Sequence, residues 1–305
     1  VGKLAELRQR IQAVENIQAV TRTLATVAAA KLSRARRRAA GMRMYTRRVR
    51  DAMRRQQAYM ARAGLGIGAF SFLLGRREPV RQVALLVITA DRGMCGGYNL
   101  DVCRRGLEVW ERGKTTGRSV RFILKGRRGI AYFQRRQADI LHRERWRREG
   151  VTAPDVERLL GVLLELYRAG QVDAVDVLYT EFHSPIHRVP RVVRMLPAEW
   201  PTAEPPAAEV ARWYHEPGFA AVVEELLLVY LRVQLCDVLL ESWASEQGAR
   251  MITMQEATER AAKTLQEYRV QHHRLRREAI TVDLLQTLFA SRSARGAGVA
   301  RAGRA

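Results

Sequence analysis

Cysteine is scarce in this sequence: Cys95, Cys103 and Cys236 are the whole set, and no two form a CxxC pair. That excludes a disulfide framework and a zinc finger, and it suits a reducing compartment. Long apolar runs are missing as well. The longest uncharged stretch, Ala63 to Gly75, falls well short of the ~20 residues a membrane-spanning helix needs. The first residues enter charged, periodic sequence directly, with no apolar signal region, so a soluble chain or a peripheral part of something larger is expected. Acidic residues are few, 31 against 53 Lys and Arg, for a net charge of +22. Such an excess implies an anionic partner (nucleic acid, membrane surface or acidic protein) or long helices displaying solvated arginines; it says nothing about fold.

Proline is absent from two long stretches, residues 3–60 and 219–290. In the first, Leu4, Leu7, Ile11 and Val14 recur at helical spacing, and Ile17, Val20, Leu24 and Val27 resume it after a slip of register. A helix of nearly 60 residues would extend ~85 Å, longer than any compact globule needs, so a coiled coil is predicted, ending near Gly64, Gly66 and Gly68. The second stretch carries the clearest periodicity. Met251, Met254, Thr258, Ala261, Leu265, Tyr268, His272 and Leu275 alternate three and four without a slip, a heptad seam with small and polar members. About 70 residues there would extend ~105 Å. Two such helices flanking one compact region predict an antiparallel pair.

The middle has a different grain. Val83–Thr89 is a short apolar run of the kind buried strands show, Val120–Leu124 and Val175–Tyr179 resemble it, and Val192–Leu196 suits an edge strand. Helical segments fall between, around Val102–Arg112, Gly129–Gln137 and Asp155–Ala169. Strands alternating with helices predict a central α/β, Rossmann-like domain. The expected division is residues 1–75 as N-terminal coiled-coil helix, 76–200 as the α/β domain, 201–217 as a Pro-rich loop, 218–290 as C-terminal coiled-coil helix, and 291–305, small residues and Arg, as a disordered tail.

Candidate chemistry is thin. The turn Asp91-Arg92-Gly93-Met94-Cys95-Gly96-Gly97-Tyr98-Asn99 follows the first apolar strand, and glycine-rich turns there can cradle phosphate. It lacks GxxxxGK[ST] and GxGxxG with a downstream carboxylate, so a tight turn with a helix cap is the expectation, against an α/β enzyme using the turn as a ligand site. Arg92 beside Cys95 would favour a thiolate, but no histidine is marked as its base. His183 and His187 flank Pro185, which breaks any helix presenting both, and the six histidines form no ligand pattern. No catalytic, cofactor or metal site is expected. The cluster Arg34, Arg36, Arg37, Arg38, Arg43, Arg47, Arg48 and Arg50 makes a basic, coiled-coil nucleic-acid-binding protein the rival reading. Only Tyr45 and Tyr59 interleave it, too few to stack single strands.

Three segments in order resemble one family. These are Ile17–Leu32 (IQAVTRTLATVAAAKL), the DRGMCGGYN turn, and Ala244–Thr258 (ASEQGARMITMQEAT), with Arg276-Arg277 and Ile280-Thr281 completing the pattern. They resemble the gamma subunit of the F-type ATP synthase. The resemblance implies a non-catalytic central rotor shaft whose terminal helices coil inside a ring of alternating alpha and beta subunits. It implies an α/β domain near the epsilon subunit and the membrane rotor ring (the c ring), no cofactor, no nucleic-acid partner, and a peripheral position on the cytoplasmic face of the bacterial membrane. By position, it implies that Arg22, Leu24 and Lys31 on the first helix, and Arg277, Glu278 and Thr281 on the last, meet the ring. The sequence departs from the family's pattern at Glu278, where Gln is usual, and at Phe289-Ala290 in place of Gly-Ala.

Overall fold

The computed structural model describes residues 2–62, 72–75, 77–146, 150–200, 216 and 218–302. The chain divides into two compact units, Val1–Ala25 with Met254–Ala305, and Thr26–Thr253. Helices α1 (Gly2–Arg62) and α5 (Phe219–Ala302) each contribute residues to both.

In the first unit α1 and α5 pair antiparallel. Thr21 meets Thr258, Glu15 meets Arg269 at 2.7 Å, and Arg8 meets His272 at 3.3 Å, so one numbering falls as the other rises. On α5 every predicted seam position from Met254 to Leu275 is buried or half-buried, Met254, Ala261 and Leu265 most deeply. On α1 the expectation fails halfway. Ile17, Val20 and Val27 are exposed at 54%, 58% and 42%, and no slip of register occurs. The covered positions continue the heptad from Leu7 through Ile11, Val14, Gln18, Thr21 and Ala25. Small and polar residues share the seam with Leu7, Met254 and Leu265, and Ala25, Thr21 and Thr258 leave less side chain between the helices than large aliphatics would. The Thr258 hydroxyl donates to the Thr21 hydroxyl at 2.8 Å, which donates to the Gln18 carbonyl at 3.1 Å.

The tail is also corrected. α5 runs past Ala290 to Ala302 where disorder was expected. Ala and Arg are among the best helix formers, and the glycines there cost only ~1 kcal/mol each. Residues 303–305, the glycines at 64, 66 and 68, and the Pro-rich segment apart from residue 216 lie outside the described residues.

The second unit is built on a five-stranded sheet, ordered β3-β2-β1-β4-β5. Its strands are β1 (Gln82–Ile88), β2 (Ser119–Lys125), β3 (Ile140–Glu144), β4 (Ala174–Phe182) and β5 (Arg188–Leu196). The first four run parallel and β5 is the antiparallel edge. Helices α2 (Tyr98–Thr115), α3 (Arg127–Gln134) and α4 (Ala153–Arg168) supply the crossovers. β1 lies centrally with both faces covered, which is why its sequence reads as an unbroken apolar run. Ala84, Leu86 and Ile88 belong to a large core with Leu159 and Leu163 of α4, Leu227, Leu231 and Leu235 of α5, and Val49 and Met53 of α1. Leu85 and Val87 turn the other way, toward Val102 and Cys103 of α2 and Phe133 of α3. β3 was not foreseen: Ile-Leu-His-Arg-Glu is short and carries two charges, as an edge strand can. No described helix is long and apolar enough to cross a membrane.

Candidate functional site: the loop after β1 and the outward helix faces

The DRGMCGGYN segment spends its polar groups on itself and its neighbours. The Asp91 carboxylate accepts from the Arg127 N–H at 2.7 Å, at the start of α3, and from the Trp146 N–H at 3.1 Å. Just before it, the Thr89 hydroxyl accepts from the Gly129 N–H at 2.9 Å and donates to the Lys125 carbonyl at 3.0 Å. Gly126, at φ +103, fits only as glycine, since a Cβ would lie 2.1 Å from the Thr89 carbonyl oxygen. The Asn99 carboxamide oxygen accepts from the Ala90 N–H at 2.9 Å, tying the loop to the start of α2. Cys95 is buried, and burial together with nearby Glu246 pushes its thiol above the usual range, the reverse of what a thiolate nucleophile needs. The geometry is a tight turn whose capping bonds go to α3, while Gly97, the N-cap of α2, makes no side-chain cap.

In open α/β sheets ligands enter at the carboxyl ends of the strands, where the connections diverge to opposite sides. That point here lies between β1 and β4, and α5 occupies it. β1 pairs with β4 only as far as Leu178, leaving the backbone of Thr180 on that side without a strand partner. Two serines of α5 stand in for one. The Thr180 N–H donates to the Ser242 hydroxyl at 3.2 Å, and the Ser245 hydroxyl donates to the Thr180 carbonyl at 3.1 Å. The Tyr98 hydroxyl donates to the Ser242 carbonyl at 3.2 Å, and Ala249 packs on Ala90, Cys95 and Tyr98. Gly248 lets the helix close: a Cβ there would sit 3.2 Å from the Phe182 ring and 3.3 Å from Pro185.

One turn further, Arg250 donates to the Gly93 carbonyl at 3.3 and 3.4 Å and pairs with Glu246 at 2.7 Å, both side chains nearly covered. Burial raises the Glu246 carboxyl above its ordinary range and Arg250 pulls it back. Four residues apart on one helix, Glu246 and Arg250 suit a local ion pair, and nothing in that spacing announces a tertiary bond.

The six residues expected to meet a partner are not gathered at one place. Arg22 and Leu24 lie on α1 near the Thr21–Thr258 contact, Arg22 exposed and Leu24 half-buried. Arg277, Glu278 and Thr281 are exposed on α5 beyond His272, with Glu278 accepting from Arg274 at 3.1 Å and Thr281 donating to the Arg277 carbonyl at 2.9 Å. Lys31 belongs to the other unit, half-buried, lining a groove with Arg34, Arg38 and Trp243. Sequence reasoning missed the apolar residues that face outward: Ile17 and Val20 on α1, and Val270, Ile280, Leu284 and Leu288 on α5. On α1 a signal was available, because Ile17, Val20 and Leu24 fall off the heptad that Leu7, Ile11 and Val14 begin. The arginines of the 34–50 cluster are all exposed, around a seam of Leu32, Ala35, Ala39, Thr46 and Val49.

A family model described as ATP synthase matches residues 3–288. The ATP synthase gamma chain of Pelotomaculum thermopropionicum is 33% identical over 282 residues, covering 92% of this chain and 95% of its own. That of Moorella thermoacetica is 31% identical over 286 residues, covering 94% and 97%. Among solved structures, a chain of the Euglena gracilis mitochondrial ATP synthase rotor superposes with a TM-score of 0.60 at 15% identity, over 92% of this chain and 99% of that one. A central-stalk chain of the Tetrahymena thermophila mitochondrial enzyme gives 0.56 at 19% identity, over 78% and 99%.

Proposed function

This chain belongs to the gamma-chain family of the ATP synthases, and we propose that it is the central shaft of such an enzyme, without a catalytic site of its own. The observation that carries the reading is the helix pair of the first unit. Its seam mixes small and polar residues (Gln18, Thr21, Ala25, Thr258, Ala261) with Leu7, Met254 and Leu265, while Ile17, Val20, Val270 and Ile280 face outward. A stable chain gains nothing by exposing Ile17, Val20 and Ile280, whereas a surrounding partner would cover them. Alternating alpha and beta subunits are that partner, and Arg22, Leu24, Lys31, Arg277, Glu278 and Thr281 are its contact candidates. Exposed ion pairs are worth only ~0.2–1 kcal/mol each, weak enough to be made and broken as a shaft turns. A single shaft in a threefold ring presents a different face to each catalytic subunit, so its rotation biases distant sites by differential contact. In this reading the second unit would meet the epsilon subunit and the membrane ring, and the chain would be peripheral, on the cytoplasmic face of a bacterial membrane. The nucleic-acid reading of the arginine cluster finds no support in these relatives.

The test is assembly with alpha and beta subunits, followed by single-molecule observation of a bead on this chain. Unidirectional rotation driven by ATP, with no turnover by the chain alone, is expected. ATP hydrolysis by the pure chain, or a hydrolysing complex with a stationary bead, overturns the reading.

A further inference from the structure

Apolar packing holds two surfaces together but is non-directional, so by itself it resists separation more than turning. Hydrogen bonds from a helix to a fixed backbone are directional, and they weaken steeply when the donor swings away. α5 makes such bonds to the sheet unit at three levels: Ser242 and Ser245 to both backbone groups of Thr180, the Ser242 carbonyl to Tyr98, and Arg250 to the Gly93 carbonyl. The acceptors and donors on the sheet side belong to a strand, to the first residue of α2 and to a loop whose own groups are bonded internally. Turning α5 about its axis by one residue, ~100°, would carry both serines and the guanidinium off their partners together. Helix and strand are close enough for this because Ser242, Ser245, Gly248 and Ala249 are small.

We propose that Ser242, Ser245 and Arg250 are positioning residues that lock the angular setting of α5 in the crevice between β1 and β4, so that torque on the sheet enters the helix without slip. This rests on the shaft reading above. Glu246 holds the Arg250 guanidinium toward Gly93 and is part of the same lock.

The experiment uses the assembled enzyme in sealed vesicles and reads proton uptake per ATP hydrolysed. Ser242→Ala with Ser245→Ala, and separately Arg250→Ala, should keep hydrolysing while that ratio falls about twofold or more, because a buried network loses more than its separate bonds. Arg250→Lys, which keeps a cation beside Glu246, should fall less. A cross-link supplies the readout that a general structural defect would not give. A Cβ at Gly248 lies 3.7 Å from the Pro185 Cβ, within the ~3.5–4.5 Å that a disulfide spans. The new Cβ at 248 needs the Phe182 ring to give slightly, so the reduced pair is the reference. Oxidised Pro185→Cys/Gly248→Cys should pump as its reduced form does, and in the Arg250→Ala background should restore the ratio until reductant is added. The Arg250→Ala variant without the pair, oxidised alike, controls for Cys95, Cys103 and Cys236.

Unchanged ratios in the variants, or a cross-link that forms and restores nothing, overturn the lock while leaving the shaft reading intact. Should the alanine variants not assemble, Arg250→Lys and the cross-link in the wild-type background decide: an undiminished ratio in the first, or an enzyme that oxidation blocks and reductant releases in the second, overturns the proposal. A wild-type complex that hydrolyses without pumping overturns the shaft reading, and the lock with it.

Discussion

The same two helices behave differently in the two units. Within Thr26–Thr253, α5 buries Leu227, Leu231, Leu235 and Leu239 completely against a sheet, and α1 buries Met53 beside them. Within the other unit, α5 exposes Leu284, Leu285 and Leu288 at 60%, 49% and 60%, and the contact between helices mixes Thr and Ala with Leu7, Met254 and Leu265. Large aliphatics are thus inside where the helices pack on the sheet, and several are outside along α5 past its Arg8–His272 contact with α1. One surface is for folding and the other for company.

The sharpest way to break that comparison is one substitution made twice. Leu231→Ala removes a side chain with no exposure and should cost about 2–5 kcal/mol, from lost transfer free energy plus a cavity. Leu284→Ala, at 60% exposure, should stay within about 0.5 kcal/mol in the chain alone. Denaturant unfolding of the isolated chain measures both. In the assembled enzyme Leu284→Ala should instead weaken binding to the ring subunits. Equal costs in the isolated chain would mean that the exposed leucines are covered by this chain itself.

A second contrast is electrostatic. The second unit buries a carboxyl it does not neutralise: Glu241 Oε2 is covered and has no hydrogen-bond partner among the described residues. Burial, then Asp237 and Glu181, push the Glu241 carboxyl up to about 7, with Arg43 opposing. The folded chain therefore keeps a proton that the unfolded chain releases near the ordinary Glu value. Its contribution is full below that value and is lost as pH rises through about 7. The group is partly exposed, so the expected loss is discounted to about 1–2 kcal/mol. Glu241→Gln, a neutral mimic, should shrink the stability difference between about pH 5 and pH 8 by that amount. An identical pH profile for wild type and variant would show Glu241 ionised throughout.

Much of the fold could be read from the residues because it rests on periodicities that burial enforces. β1 showed itself as Val83–Thr89 because both faces of a central parallel strand are covered, and the α5 seam showed because no slip interrupts it. β3 stayed hidden because an edge strand of five residues, two of them charged, breaks no pattern. The α1 seam was misread past Val14 because a search by hydrophobicity follows Ile17 and Val20, whereas close helix approach selects Gln18, Thr21 and Ala25. The anchor at Thr180 was not legible at all. Ser242 and Ser245 in a helix look like weak helix formers, and only the missing strand beside Thr180 gives them a purpose.

The seam itself offers the subtlest test. If Thr21 and Thr258 hold the helix pair by size rather than by their bond, removing both hydroxyls should cost almost nothing. Each hydroxyl has a local carbonyl to fall back on, Gln18 at 3.1 Å for Thr21 and Met254 at 2.7 Å for Thr258. Neither is therefore orphaned when its partner becomes valine, and the usual penalty for a buried unsatisfied donor does not arise. Each single Thr→Val change should cost about 0.5–1 kcal/mol or less, and the double variant should match the wild type or exceed it, since valine keeps the shape and adds apolar surface to the seam. A double-mutant cycle on thermal unfolding measures the coupling. A coupling energy near 2 kcal/mol would mean that the hydroxyl pair, and not the small size of its residues, fixes how α1 and α5 meet.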